Sequence, residues 1–215
     1  MSKEEGQTGS CRCRPMTLDD LDRVVVLHLS TFPGFFLSFI GSRFLREFYR
    51  ATLEDPGSLA LVAQDDRQDL LGFVVGHIEP QGSYRRLLFR RGWAFGMVSV
   101  LPVIRRPKIL PRLLRAVWYR GNPPEEIGGA LLASLAVTPH KQGRGLGKLL
   151  VSSFVSECQS RGAAYVYLTT DRDDNPSVNS FYRKLGWTLD RELMTPEGRW
   201  LNRFRYDWPL PSGQE

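Results

Sequence analysis

The chain has 215 residues, of which 42% are hydrophobic and 24% charged, enough to bury one sizeable core and too apolar for a disordered polymer. Its three cysteines, two of them in the pair Cys11 and Cys13, give neither a disulfide framework nor a zinc spacing, which fits a reducing, cytoplasmic compartment and no metal. No apolar run reaches the roughly 18 residues of a membrane span, and the first ten residues are polar where a signal peptide would be apolar.

The net charge of +6 is unevenly placed. Tyr84 to Arg120 carries nine arginines and Lys108 with no acid, so the remaining sequence holds 19 basic against 23 acidic residues. The basicity belongs to one segment.

In chain order, residues 1–10 read as a flexible tail and Cys11 to Arg14 as a short strand before Pro15. Thr17, Asp19 and Asp20 precede an apolar pattern at Leu18, Leu21, Val24, Val25 and Leu27-His28, which predicts a helix with acids in its first turn, ending before Pro33. An aromatic cluster (Phe32, Phe35, Phe36, Phe39) leads to a second helix over roughly 42–54. Leu59–Ala63 and Leu71–Ile78 read as a strand pair around the polar turn at Asp65 to Asp69. His77 and Glu79, two residues apart, are expected on one face of the second strand's end, either as a solvated terminus or as proton acceptors near a reaction centre.

About 50 residues then separate the third strand from the fourth. Arginine pairs alternate there with Leu, Phe and Trp, and Ile109 to Tyr119 would make a basic amphipathic helix, with prolines at 102, 107 and 111 breaking any longer one. Three readings of this segment stay open: the solvated face of a substrate lid, an interfacial helix at an anionic membrane, or a contact with an acidic macromolecule such as RNA or anionic glycan.

The most informative stretch is residues 130–150, GALLASLAVTPHKQGRGLGKLL when read from Gly129. An apolar run ends at Pro139, and glycines at 143, 145 and 147 open a second apolar pattern, so the order is strand, tight loop, helix. Glycines without Cβ let a ligand approach the main chain, and the free N–H groups of the first helical turn favour phosphate. Helix-terminus attraction reaches only about 2 kcal/mol, so Lys141, Arg144 and Lys148 would share the binding. A Walker loop is excluded: three residues, not four, separate Gly143 from the Gly147-Lys148 pair, and Leu149 follows. A dinucleotide fingerprint fails as well, because Lys148 and Leu150 stand where a third glycine is needed.

Helical spacing continues through Leu146, Leu149, Leu150, Phe154 and Cys158 to a stop at Gly162, and Ala164–Thr170 is β-rich. Strands 130–138 and 164–170 should therefore be parallel, with a right-handed crossover. Cys158 reads as core. Asn175-Pro176 is a good helix start on capping grounds, Gly186 ends that helix, and strands near 187–193 and 200–208 form a terminal hairpin.

Gln142-Gly143-Arg144-Gly145-Leu146-Gly147 resembles the Gln/Arg-x-x-Gly-x-Gly/Ala acyl-CoA loop of the GCN5-related N-acetyltransferases (GNAT). The segment from Asn175 through Phe181-Tyr182 to Gly186-Trp187 resembles that family's Asn-x-x-Ala-x-x-Leu/Phe-Tyr…Gly-Phe, with Val178 and Trp187 as apolar replacements for Ala and Phe. The resemblance implies the α/β GNAT fold, a mixed twisted sheet flanked by helices with acyl-CoA in the gap between splayed fourth and fifth strands. The basic insertion would occupy 80–129 of a single domain over 11–209, with 210–215 a tail.

The resemblance further implies acetyl-CoA as co-substrate and an amine acceptor, joined by direct attack in a ternary complex. The pyrophosphate would sit on Gln142, Gly143, Arg144, Gly145, Leu146, Gly147 and Lys148, with Asn175 nearby, and pantetheine amides would bond the main chain of Leu135, Ala136 and Val137 like an added strand. Tyr182 takes the position of the acid that protonates departing CoA. Many relatives place a glutamate base on the fourth strand, but Leu131 stands there, so the base is sought among Glu79, His77 and Glu126. The acceptor stays open between a small amine, an amino sugar and a peptide amine, as do a homodimer, a peripheral membrane location, and a non-catalytic CoA-binding or membrane- or RNA-attached module acting through residues 84–120.

Overall fold

A computed structural model describes residues 11–34, 36–80, 86, 92, 94–98, 128–195 and 198–208. The readings of residues 1–10 and 210–215, of the helix at 109–119 and of Glu126 lie outside them. Among the described residues, seven strands form one sheet in the order β1-β2-β3-β4-β5-β7-β6. These are β1 (Arg12–Pro15), β2 (Ser58–Gln64), β3 (Leu70–His77), β4 (Gly129–Val137), β5 (Tyr165–Asp171), β6 (Thr188–Met194) and β7 (Trp200–Asp207). Among the described residues, the helices flanking this sheet include α1 (Leu21–Thr31), α2 (Phe36–Ile40), α3 (Ser42–Glu54), α4 (Leu146–Ser160) and α5 (Pro176–Lys184).

Amphipathic patterning sorts the helices onto two faces. Leu21, Val24, Val25 and Leu27 of α1 and Leu45 and Tyr49 of α3 pack on Ala60, Val62, Phe73, Val75 and Ala136. On the opposite face Leu146, Leu150, Val151 and Phe154 of α4 and Tyr182 of α5 pack on Leu61, Val74, Ala130, Leu132, Val166 and Phe204. Cys158 is fully buried in that second cluster, and burial pushes its thiol up to about 12. It is core, as its spacing predicts.

The segment from β1 into α1 is locked by Asp20, which is buried and accepts two bonds from the Arg14 guanidinium at 2.7 and 2.8 Å. These bonds are the largest influence holding its carboxyl down at about 2, against the opposing effect of burial; N–H and O–H bonds from Thr17 add to them.

The antiparallel β3–β4 ladder runs from Gly72↔Val137 to His77↔Leu131 and is interrupted between Val75 and Gly76. Val75 faces Ser134 and Gly76 faces Leu132, so Ala133 is an extra residue in β4. The bulge reverses side-chain parity. Ala130 and Leu132 face α4 before it and Leu135 and Val137 after it, while Ser134 and Ala136 lie on the α1/α3 face. A Cβ on Gly76 would collide with the Leu131 carbonyl oxygen and the Phe154 ring, so the bulge and the seating of α4 both require glycine there.

Candidate acyl-donor and acceptor site

The fourth and fifth strands are parallel, as expected, but pair only at Gly129↔Tyr165, Ala130↔Val166 and Leu131↔Tyr167. Beyond Leu131, β4 has no strand partner on that side among the described residues, while β5 continues against β7 as far as Asp171↔Leu201. The sheet opens into a cleft whose β4 wall contains Leu135, Ala136 and Val137. Main-chain groups along that wall are able to take an extended ligand as an added strand.

The loop at the cleft mouth begins with a 3-10 turn at Pro139–Lys141. Gly143 and Gly145 both have φ of +79°, the left-handed region that disfavours a side chain, and a Cβ on either would meet nothing within 4 Å. Gln142, Gly143, Arg144 and Gly145 are exposed. Among the described residues, the N–H groups of Gly143 through Lys148 find no main-chain acceptor; the first bond of the turn is Leu149 N–H to the Gly145 oxygen, at 2.9 Å. The result is a run of outward donors at the start of a 15-residue helix, flanked by Arg144 and Lys148. Gly147 serves differently from the other two: it is helical, and a Cβ there would press on the Phe181 ring at 3.1 Å, so it admits α5 rather than a ligand.

Tyr182 is 4% exposed, with its ring 5.5 Å from Trp187 and 6.2 Å from Phe204. Burial pushes its phenol well above the usual value, and its hydroxyl has no hydrogen-bond partner among the described residues. Asn175 does occupy the N-cap position of α5, but its side chain makes no capping bond. The amide that fixes α5 to the sheet is instead Asn179, which is buried. Its oxygen accepts from Thr170 Oγ1 at 2.6 Å and Asn202 Nδ2 at 3.2 Å, and its nitrogen donates to the Asp171 carbonyl at 3.1 Å. Its signal in the sequence is slight, since a polar residue one turn into an amphipathic helix reads as surface.

His77 and Glu79 do not share a strand face. The strand β3 ends at His77; the Ile78 N–H still meets the Gly57 carbonyl at 2.7 Å in the β2–β3 register, and Glu79 lies in an exposed bend. His77 is buried, lies across the ladder from Leu131 and bonds through Nδ1 to Ser58 Oγ at 2.9 Å. Ser58 Oγ donates in turn to Asp55 at 3.2 Å, and Asp55 is paired with Arg86 at 2.7 Å. A carboxylate only accepts, so Ser58 spends its proton on Asp55 and accepts from His77 Nδ1–H. The lone pair of the ring is thereby left on Nε2. Burial draws the imidazole down to about 4, with Asp55 opposing and Arg86 assisting, so the ring is neutral at neutral pH. Burial alone would raise Asp55, but bonding to Arg86 and Ser58 holds it below the usual carboxylate range. Arg86 of the basic segment thus has an internal partner.

On the far side of the cleft, Arg203 is buried with its guanidinium 4.4 Å from the Tyr167 ring and 3.3 Å from Asp190. Among the described residues no helix is long and apolar enough to cross a membrane.

Comparison with known proteins agrees with this geometry. The sequence model of the acetyltransferase (GNAT) family matches residues 23–187, over three quarters of the chain. A mycothiol acetyltransferase of Arthrobacter sp. (strain FB24) is 46% identical over 86 residues, which is 39% of this chain and 26% of that protein, so the chain spans about a quarter of that relative. Among solved structures, a GNAT-family protein from Desulfovibrio desulfuricans superposes with a TM-score of 0.61 at 18% identity, over 92% of this chain and 99% of the other. The ribosomal-protein-S18-alanine N-acetyltransferase of Escherichia coli gives 0.58 at 13% identity, over 96% and 99%. At these identities the likeness is one of fold. With the family model covering most of the sequence and the splayed cleft in place, the chain belongs to the GNAT acetyltransferase family.

Proposed function

We propose that the chain transfers an acetyl group from acetyl-CoA to a primary amine by direct attack in a ternary complex. The observation that carries this is the three-residue β4–β5 pairing: it leaves a strand edge and a glycine-built row of N–H donors at the same cleft. In this reading the donors from Gly143 to Lys148, with Arg144, hold the pyrophosphate, and Leu135 to Val137 hold the pantetheine. The Asn175 side chain, which makes no capping bond, is free to reach the cofactor.

The amine has to lose a proton. A lysine-like amine with pKa of about 10.4 is only about 10⁻³ to 10⁻⁴ neutral at pH 7, a deficit on the order of 4–5 kcal/mol. Of the residues considered for the base, His77 is supported by its place across from Leu131, where the family glutamate would stand, and by the Ser58–Asp55 chain that leaves Nε2 as acceptor. Glu79 is disfavoured by its exposed position off the strand. At the other end of the reaction the departing thiolate needs a donor. Tyr182 remains protonated through neutral pH and has a hydroxyl with no competing partner among the described residues.

The test is a panel of small amines, amino sugars and peptides with free N-termini, incubated with acetyl-CoA and read by free-thiol release. Amine-dependent thiol release is expected for one class. Tight acetyl-CoA binding with no release across the panel would favour the alternative, a non-catalytic CoA-binding module. Co-sedimentation with anionic vesicles or RNA, with and without residues 84–120, reads whether the basic segment adds a membrane or nucleic-acid contact.

A further inference from the structure

The far end of the His77 chain is held by a residue of the basic segment. Arg86 meets Asp55 with two donors: Nε donates to Oδ1 at 2.7 Å and Nη2 to Oδ2 at 3.2 Å, and Nη2 also reaches the Glu79 carbonyl oxygen at 3.3 Å. The Asp55 side chain is 2% exposed against 32% for Arg86, so a buried carboxylate is matched by a cation that reaches in from the surface. Asp55 follows α3, and its carbonyl closes a tight turn by accepting the Ser58 N–H at 3.0 Å. Gly57 in that turn leaves room for the guanidinium, because a Cβ there would lie 2.5 Å from Arg86 Nη2. It is not one of the left-handed glycines, so the arginine's approach, and not the backbone, is what requires it.

Charge at this end decides where the protons lie at the other. While Asp55 is ionised it only accepts, so Ser58 Oγ, 3.2 Å away, donates to it and accepts from His77 Nδ1 at 2.9 Å. The strand neighbours of His77, Ser58 on β2 and Leu131 on β4, are uncharged. Among the described residues, the charges acting on the ring are Asp55 and Arg86, with opposite signs. Without Arg86 the carboxylate would be buried and unpaired, a costly state that it relieves by taking a proton from solvent. Protonated Asp55 then donates to Ser58 Oγ, Ser58 turns its own O–H to Nδ1, and the single proton of the imidazole resides on Nε2. Were the carboxylate to stay charged instead, its field would act on the ring unopposed and favour a second proton, at Nε2. Both routes take the lone pair from Nε2.

We propose that Arg86 is a positioning residue: seated on Asp55 through the gap that Gly57 leaves, it fixes the direction of the Asp55–Ser58–His77 hydrogen bonds and keeps the lone pair of His77 on Nε2. The catalytic use of that lone pair rests on the reading of His77 as the base; its location does not. One arginine of the basic segment thereby acts inside the protein, through Asp55 and Ser58, on an imidazole it does not touch.

The tautomer can be read directly. The full chain, labelled with ¹⁵N in its three histidines, is observed by nuclear magnetic resonance at neutral pH, with the His77 signals assigned by their loss in His77→Gln. Protonated and lone-pair nitrogens of a neutral imidazole resonate far apart, and the wild-type ring should show Nδ1–H. Arg86→Met should convert it to Nε2–H or to the doubly protonated ring, and lower kcat/KM about 10- to 100-fold, the scale of His77→Gln, with acetyl-CoA affinity unchanged. Arg86→Lys, which keeps the charge, should retain the wild-type tautomer. Gly57→Ala removes no charged group and displaces only the far end of a flexible side chain, so it should fold and convert part of the population. Should Arg86→Met not fold, Gly57→Ala decides alone. A wild-type ring with its proton on Nε2, a tautomer unmoved in Gly57→Ala and in folded Arg86→Met, or one that Arg86→Lys reverses as fully as Arg86→Met, overturns the proposal. A tautomer that reverses in Arg86→Met with kcat/KM unaltered supports the role of Arg86 and overturns the reading of His77 as the base.

Discussion

The two edges of β4 differ in a way that defines the molecule. Toward β3 the strand is laddered from Val137 back to Leu131, with one bulge; toward β5 it is paired for three residues and then abandoned. Both edges are made from the same apolar run, so composition does not distinguish them. The difference arises downstream, where Pro139 and two left-handed glycines turn the chain into α4, and Asn179 anchors α5 where β5 leaves the cleft. An edge strand is normally a liability. Here the open edge is short, internal to the sheet and capped by a row of N–H donors, which suits it to a small extended ligand.

The largest effect expected from disturbing the open edge comes from Gly145→Glu. It forces a side chain into φ of +79° and sets a carboxylate among the donors, so acetyl-CoA affinity should fall at least 100-fold in calorimetry, with a melting temperature only slightly lowered. Normal binding would remove the loop from the donor site. Next in size is Tyr182→Phe, which should reduce kcat by about 10²-fold or more, the usual scale of acid–base assistance, without changing the acetyl-CoA dissociation constant. An unchanged kcat would leave Tyr182 as packing for Trp187 and Phe204.

On the closed edge, His77→Gln should lower kcat/KM about 10- to 100-fold. Because His77 and Leu131 are register partners, Leu131→Glu in the same background should recover part of the loss by restoring a base to the neighbouring position. An unchanged kcat/KM in His77→Gln would place the base elsewhere.

The open edge is the more legible of the two in the sequence. Glycines at 143 and 145 announce a main-chain geometry that few other residues adopt, and the spacing to Asn175 and Tyr182 is local enough to be read by eye. The parallel βαβ unit, the hairpins and the helix at Ser42–Glu54 emerge from periodicity in the same way. What periodicity cannot carry is a one-residue bulge at Ala133, which leaves the apolar run looking unbroken while reversing which side chains face α1 and α3. Nor does it reveal pairs such as His28 and Tyr49, 21 residues apart on different helices, or Ser58 and His77, whose partnership exists only through the β2–β3 register. Glu79 falls off its expected face for a related reason: β3 ends at His77, one in-register bond from Ile78 to Gly57 follows, and Glu79 already lies in a bend that nothing in the local pattern marks.

The smallest perturbation is a change of pH, and it tests the closed face. His28 and His77 are both buried and both held at about 4 by burial, against an ordinary 6.5. The unfolded chain therefore binds more protons than the folded one between these values, so stability is full above about pH 6.5 and is lost as pH falls toward 4. Each histidine contributes on the order of 3 kcal/mol across that window, by 1.36 kcal/mol per pKa unit, a large fraction of the stability of an ordinary domain. Asp20, held at about 2 by Arg14, keeps its contribution until the pH falls below the ordinary carboxylate range, so it does not account for a loss in this window. Thermal melting from pH 7.5 to 4.5 should show a steep decline beginning near 6.5. In His28→Gln the decline should be shallower, although the melting temperature at pH 7.5 is itself lower. A flat profile in the wild-type protein would mean that the two imidazoles are not buried as neutral rings.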